Sequence, residues 1–191
     1  MSWGKFIATA GLFGAYIVKD TIPDEKIEIL RDNCNNLRDR AMIDFLLSTG
    51  IRVGELVRLN IDDIDFSERE CVVYGKGDKE RKAYFDAKTK IHLLNYIESR
   101  TDNNIALFVS LNKPHSRLTE SGVELRLREM GKKLGVEKVH PHKFRRTMAT
   151  RAIEKGMPIE QVQKILGHEQ IDTTLRYAMV NQNNVKLSHR K

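Results

Sequence analysis

Between Asp24 and Val180 the apolar positions change their spacing twice. Ile27 and Leu30, then Leu37, Met42, Phe45 and Leu46, recur at helical steps and predict helices over residues 24–34 and 36–49. Gly50 supplies a C-terminal stop for the second. Val53, Leu56 and Leu59 mark a short helix over 53–59. The pattern then shifts to β-rich runs, ECVVYG and RKAYFD, separated by K-G-D-K-E, which predicts a hairpin with a glycine-containing turn. Helices resume at 87–99 and, after an apolar run at 105–109, at 119–134, where Thr119 offers a cap. Three more fit residues 142–155, 158–166 and 173–180, with Pro158 suited to a first turn and Gly156 to the end of the preceding helix. The expected fold class is mainly α with a small antiparallel β-sheet (α+β).

Thr21-Ile22-Pro23-Asp24 interrupts these elements and reads as a linker into the domain proper. Before it, FIATAGLFGAYIV (residues 6–18) is the one long apolar run. It is too short to span a bilayer and lacks a convincing cleavage site, so residues 1–21 read as an apolar leader or linker with no membrane role. A chain of 191 residues, 40% hydrophobic and 31% charged, suits one folded domain.

Charge alters this picture more than composition does. The formal net charge is +7, and residues 138–191 account for all of it, with eleven Lys/Arg against four acids. Such asymmetry points to a polyanion, most often nucleic acid, although a solvated basic face fits equally well. Cys34 and Cys71 form neither a C-x-x-C pair nor a disulfide framework, which suggests a reducing, cytoplasmic compartment. No H-E-x-x-H or cysteine cluster argues for a metal, and no motif calls for a cofactor.

Four stretches carry polar groups that packing does not require. In STGIRVGEL (48–56), Arg52 sits at a glycine turn before a helix, placed either to hold a phosphate or to pair with Glu55. In GKGDKER (75–81), the spacing departs from a nucleotide-binding loop, but Lys76 at a hairpin tip could reach into a site. In HPHKFRR (140–146), His142 and Arg145 lie three apart and should share a helix face. In LGHEQIDTTLRY (166–177), His168 follows a helix end and Tyr177 falls in the next helix's first turns. Each has a bland structural reading on its own. Together they suit phosphodiester cleavage: a tyrosine nucleophile, arginines against developing negative charge, a lysine and histidines for protons.

STGIRVGELVRL, VVYGKGDKERKAYF, HKFRRTMAT and ILGHEQIDTTLRYA, in that order, resemble the conserved boxes of the tyrosine recombinase (phage integrase) catalytic domain, of the Xer-like and transposon-integrase type. The resemblance runs from about Ile22 to about Val180. It implies a helical domain with a small three-stranded sheet and a site-specific recombinase or integrase of prokaryotic, phage or mobile-element origin. The implied catalytic residues are Arg52, Lys76, His142, Arg145, His168 and the nucleophile Tyr177, with Lys79, Arg81, Lys143 and Arg146 as DNA contacts and no cofactor or metal. Double-stranded DNA is the implied partner, cut through a 3′-phosphotyrosine. The full-length proteins act as tetramers on DNA, and this chain is expected to be a monomer in isolation, cytoplasmic and nucleoid-associated. Two features depart from the pattern. Arg146 stands where many members have histidine, and the usual N-terminal core-binding domain is expected to be absent, leaving 22–180 as the catalytic domain and 181–191 as a short basic tail. A type IB topoisomerase-like relaxing activity and a non-catalytic DNA-binding regulator are the alternatives.

Overall fold

The computed structural model describes residues 21–75 and 80–168, and Thr174. The apolar leader and most of the helix expected at 173–180 lie outside the described residues. The elements in chain order are α1 (Asp24–Asp32), α2 (Leu37–Thr49), α3 (Val53–Arg58), β1 (Ile64–Asp65), β2 (Glu70–Tyr74), β3 (Glu80–Tyr84), α4 (Ala87–Glu98), α5 (Glu120–Lys133), α6 (Pro141–Glu154) and α7 (Ile159–Leu166).

Local chemistry sets these boundaries. The Asn36 side chain accepts from the Asp39 N–H to open α2, and Asp86 and Thr119 do the same for α4 and α5. Gly50 closes α2 and Gly167 closes α7, both in the left-handed conformation at φ 61°. The expected hairpin forms as β2 and β3 and gains a third strand, giving an antiparallel sheet in the order β1-β2-β3. Cys71 faces Ala83 and Val73 faces Arg81 across β2 and β3. Alternation therefore turns Cys71, Val73, Arg81 and Ala83 to one face of the sheet and leaves Tyr74, Lys82 and Tyr84 on the other.

Helix α2 is buried along nearly its whole length, and α4 and α6 pack against it. Phe45, Phe85, Phe108 and Tyr96 build an aromatic centre, with Tyr96 stacked on Phe108 at 5.6 Å. A smaller cluster of Ala149, Val162 and Leu166 joins α6 to α7. The linker expected at Thr21–Asp24 is docked instead. Ile22 is buried in the core, and its N–H donates to Thr147 Oγ1 on α6 at 2.9 Å, so an apolar side chain leaves water while its amide keeps a partner.

Candidate active site

Two helix ends meet at the centre of the site. At the end of α2, the Gly50 carbonyl accepts from Arg145 Nη1 at 2.6 Å. At the end of α7, the Leu166 carbonyl accepts from Arg145 Nη2, and the Gly167 carbonyl accepts from Arg52 Nη2 at 3.3 Å. Carbonyls past the last helical turn lack helical partners and carry the negative end of the helix dipole, which suits them to guanidinium donors. Gly50 is favoured by its positive φ, and a Cβ there would also push the terminal methyl of Met148 aside.

Among the described residues, the carboxylate that pairs with Arg52 and Arg81 is Glu55 on α3. Its Oε1 accepts from Arg52 Nη1 at 3.0 Å, and its Oε2 accepts from the Arg52 backbone N–H at 2.7 Å and from Arg81 Nη2 at 2.6 Å. Of the two readings weighed for Arg52, the pairing with Glu55 is present. Arg52 also stands in a cluster of arginines, with its side chain 40% exposed. Arg145 is 5% exposed.

His168 follows the Gly167 turn. Its backbone N–H donates to the Gln163 carbonyl at 3.1 Å, and its Nδ1 lies 2.9 Å from the buried Thr174 Oγ1. Burial, reinforced by the charges of Arg145, Arg52 and Arg81, pushes its imidazole down to about 4. The ring is neutral at pH 7 and able to accept a proton.

The remaining expected residues are placed as follows or lie outside the described residues. His142 is exposed near the start of α6, its ring 6.2 Å from that of His140, so sharing a helix with Arg145 does not give it the same surroundings. Burial, with positive charge from His142, Arg146 and Lys143, lowers the His140 imidazole below its ordinary value. Lys143, expected as a DNA contact, is 5% exposed, and its ammonium donates to the Glu137 carbonyl at 3.1 Å. Arg81, also expected to face DNA, has a side chain only 11% exposed. Arg146 is half-buried on α6. Lys76, Lys79 and Tyr177 lie outside the described residues, the first two between the ends of β2 and β3. Glu55 was visible in the sequence only as a partner for Arg52. Its second guanidinium comes from 26 residues away, beyond any helical spacing.

Among the described residues, three guanidiniums and a neutral histidine gather around one carboxylate, a set of donors of the kind that can hold a phosphate-like anion. Residues 21–184 match the model of the phage integrase family, and the chain belongs to that family. It is similar to the tyrosine recombinase XerC of Staphylococcus aureus, 38% identical over 168 residues that cover 83% of this chain and 56% of that protein. The chain thus spans little more than half the length of the curated relatives it matches. Among solved structures, the XerA recombinase superposes with a TM-score of 0.80 at 33% identity, over 90% of this chain and 65% of the other. The XerH site-specific recombinase bound to its difH substrate gives a TM-score of 0.69 at 25% identity, over 83% and 49%. The Tn1549 transposon integrase in complex with a circular intermediate DNA shares the fold, with a TM-score of 0.72 at 21% identity over 83% and 60%. Among the described residues, no helix is long and apolar enough to cross a membrane.

Proposed function

We propose that this chain is the catalytic domain of a site-specific DNA recombinase that cuts and rejoins strands through a 3′-phosphotyrosine. The observation that carries this reading is the set of guanidinium donors gathered around Glu55 and the Gly167 turn in a member of the phage integrase family. The Tyr177 hydroxyl attacks the scissile phosphorus, forming the Tyr–phosphate bond while the bond from phosphorus to the 5′ oxygen breaks. Lys76 gives a proton to the leaving 5′ oxygen, and the tyrosine's proton passes to a histidine. His168 suits that acceptor role because it is neutral at pH 7, and a bound phosphate's negative charge would raise its basicity. Arg52 and Arg145 stabilise the charge that builds on the non-bridging oxygens, from positions set by backbone carbonyls before substrate arrives. Rejoining reverses these steps with a 5′ hydroxyl from a partner strand.

The partner in this reading is double-stranded DNA, held by a tetramer of the longer protein in the cytoplasm of a prokaryotic cell, at the nucleoid. The chain alone is a monomer with weak, strongly salt-dependent affinity for DNA. A pool of nicked duplexes with randomised sequence around the nick, offered at low ionic strength, tests this directly. A covalent protein–DNA adduct on denaturing gels, formed by the parent and absent from Tyr177→Phe, supports the reading. Equal adduct in both overturns Tyr177 as nucleophile, and no adduct from the parent overturns strand cleavage by this chain.

A further inference from the structure

We propose that Arg81 is a positioning residue of this site, holding Arg52 through the shared Glu55 carboxylate and holding the turn before His168 by lying across Gly167. The proposal deepens the strand-cleavage reading and rests on it only for the catalytic consequence.

Strand register delivers Arg81 to this place. It sits opposite Val73 on the inward face of the sheet, beside Ala83, while Lys82 points outward to Glu70. An arginine on an otherwise apolar face loses hydration, and burial is the largest influence on its guanidinium, holding its pKa below the ordinary value. Only Nη2 is engaged, by Glu55 at 2.6 Å. Nε and Nη1 are buried without a hydrogen-bond partner. Glu55 already has a cation in Arg52, so balancing its charge requires no second guanidinium. A purely structural ion pair would leave the two orphaned donors and the excess charge unexplained.

The second contact is with the turn. A Cβ at position 167 would lie 2.6 Å from Arg81 Nε and 2.7 Å from its Cδ, so glycine is what allows this stem to rest on the turn. That turn presents the Leu166 and Gly167 carbonyls to Arg145 and Arg52 and leads directly into His168. One side chain therefore touches both the acid that orients Arg52 and the backbone that orients Arg52, Arg145 and His168. It is too enclosed to serve as a DNA contact. Among the described residues, the charged groups that act on His168 are Arg52 from the start of α3, Arg81 from β3 and Arg145 from α6. All three arginines act to keep the ring neutral.

The test uses the full chain with Arg81→Met and Arg81→Lys. The His168 imidazole is titrated by NMR, with His168→Gln assigning its signal. Adduct formation is timed on the nicked duplexes, and DNA affinity is measured against salt. We expect Arg81→Met to raise the His168 midpoint by about half a pH unit, since Arg81 is the smallest of the influences that lower it. Its adduct rate should fall by about tenfold or more, since small misplacements of reacting groups are amplified in rate. Affinity and its salt slope should stay unchanged, because no phosphate contact is removed. Arg81→Lys restores charge without a planar fork, so it should return the midpoint toward the parent's while the rate stays low.

An unmoved His168 midpoint in Arg81→Met overturns the proposal. So does a rate loss that vanishes at saturating DNA together with a salt slope smaller by about one, the mark of a phosphate contact. If thermal melts show Arg81→Met unfolded, Arg81→Lys decides: a parental rate overturns positioning, and a low rate with a parental midpoint supports it. Absence of a Tyr177-dependent adduct from the parent counts against strand cleavage alone, and the His168 titration then decides the role of Arg81.

Discussion

Two buried carboxylates, each surrounded by arginines, do different work in this molecule. Asp39 at the start of α2 is saturated. Arg38 reaches its Oδ1 through Nε at 3.0 Å and Nη2 at 2.7 Å, and Arg126 reaches its Oδ2 through Nε at 2.7 Å and Nη2 at 2.6 Å. Asn36 adds a further donor at 2.8 Å. Arg38 places a remaining N–H on the Val109 carbonyl, and opposite charge holds the Asp39 carboxyl below its usual range despite the opposing effect of burial. Glu55 receives two arginines as well, and Arg145 lies near the same turn with its fork on backbone carbonyls. Donors there are directed to backbone carbonyls or, in Arg81, left without partners. The difference shows how to tell a structural ion cluster from a site. The first closes its hydrogen bonds upon itself around a buried acid, whereas the second keeps the Arg52 side chain 40% exposed, where an anion from outside can reach it.

The sharpest way to break this contrast is to remove each centre in turn. Asp39→Ala leaves buried guanidiniums without their acid and should lower stability by about 3–5 kcal/mol, read from urea unfolding. The adduct rate per folded molecule should be unchanged. Arg145→Lys should do the reverse. It keeps the charge but loses the fork that spans the Gly50 and Leu166 carbonyls, so the adduct rate should fall by about 100-fold or more. Its unfolding midpoint should move less than that of Asp39→Ala. Equal losses of stability in both variants would erase the distinction.

A smaller effect is expected at the backbone that sets the second cluster. Gly50→Ala forces an alanine into the left-handed region and into Met148, which should destabilise by about 1–3 kcal/mol. It should also slow adduct formation, because the Gly50 carbonyl orients Arg145. The smallest expected effect is on pH dependence. The unfolded His168 titrates near 6.5 and the folded one at about 4. As pH falls through that window the unfolded chain binds a proton that the folded chain refuses, so stability declines there and is level in this respect above it. Urea midpoints at pH 7 and pH 5 should diverge more in the parent than in His168→Gln.

Much of this site could be read along the chain because its key groups sit at chain landmarks. Arg52 and His168 each follow a helix-ending glycine, and Arg145 is carried by a helix whose start Pro141 marks. Helix ends were legible within a few residues for the same reason: caps and stops are local. What local spacing could not supply was long-range pairing. Asp44 collects Arg31 from α1 and His92 from α4, and nothing in the sequence joins those positions. Arg81 and Lys143 were expected as DNA contacts from the resemblance, yet both are largely buried. For Arg81 a corrective signal existed. With Val73 facing the core, the residue opposite it across the hairpin must face the core too. Lys143 offered no such pattern, and its inward path to the Glu137 carbonyl depends on the turn before α6. The third strand, β1, is two residues long and fell below any period-two signal.

The central claim is that the open arginine cluster serves a tyrosine nucleophile at position 177, and one measurement addresses it most directly. After reaction with nicked duplex, the adduct is trimmed with nuclease, digested with trypsin and sequenced by mass spectrometry. Cleavage after Arg176 and Lys186 isolates a peptide that begins with Tyr177. The account predicts that this peptide carries the nucleotide remnant through its tyrosine, linked to a 3′ phosphate. A remnant on any other residue, or a 5′ linkage, would contradict it.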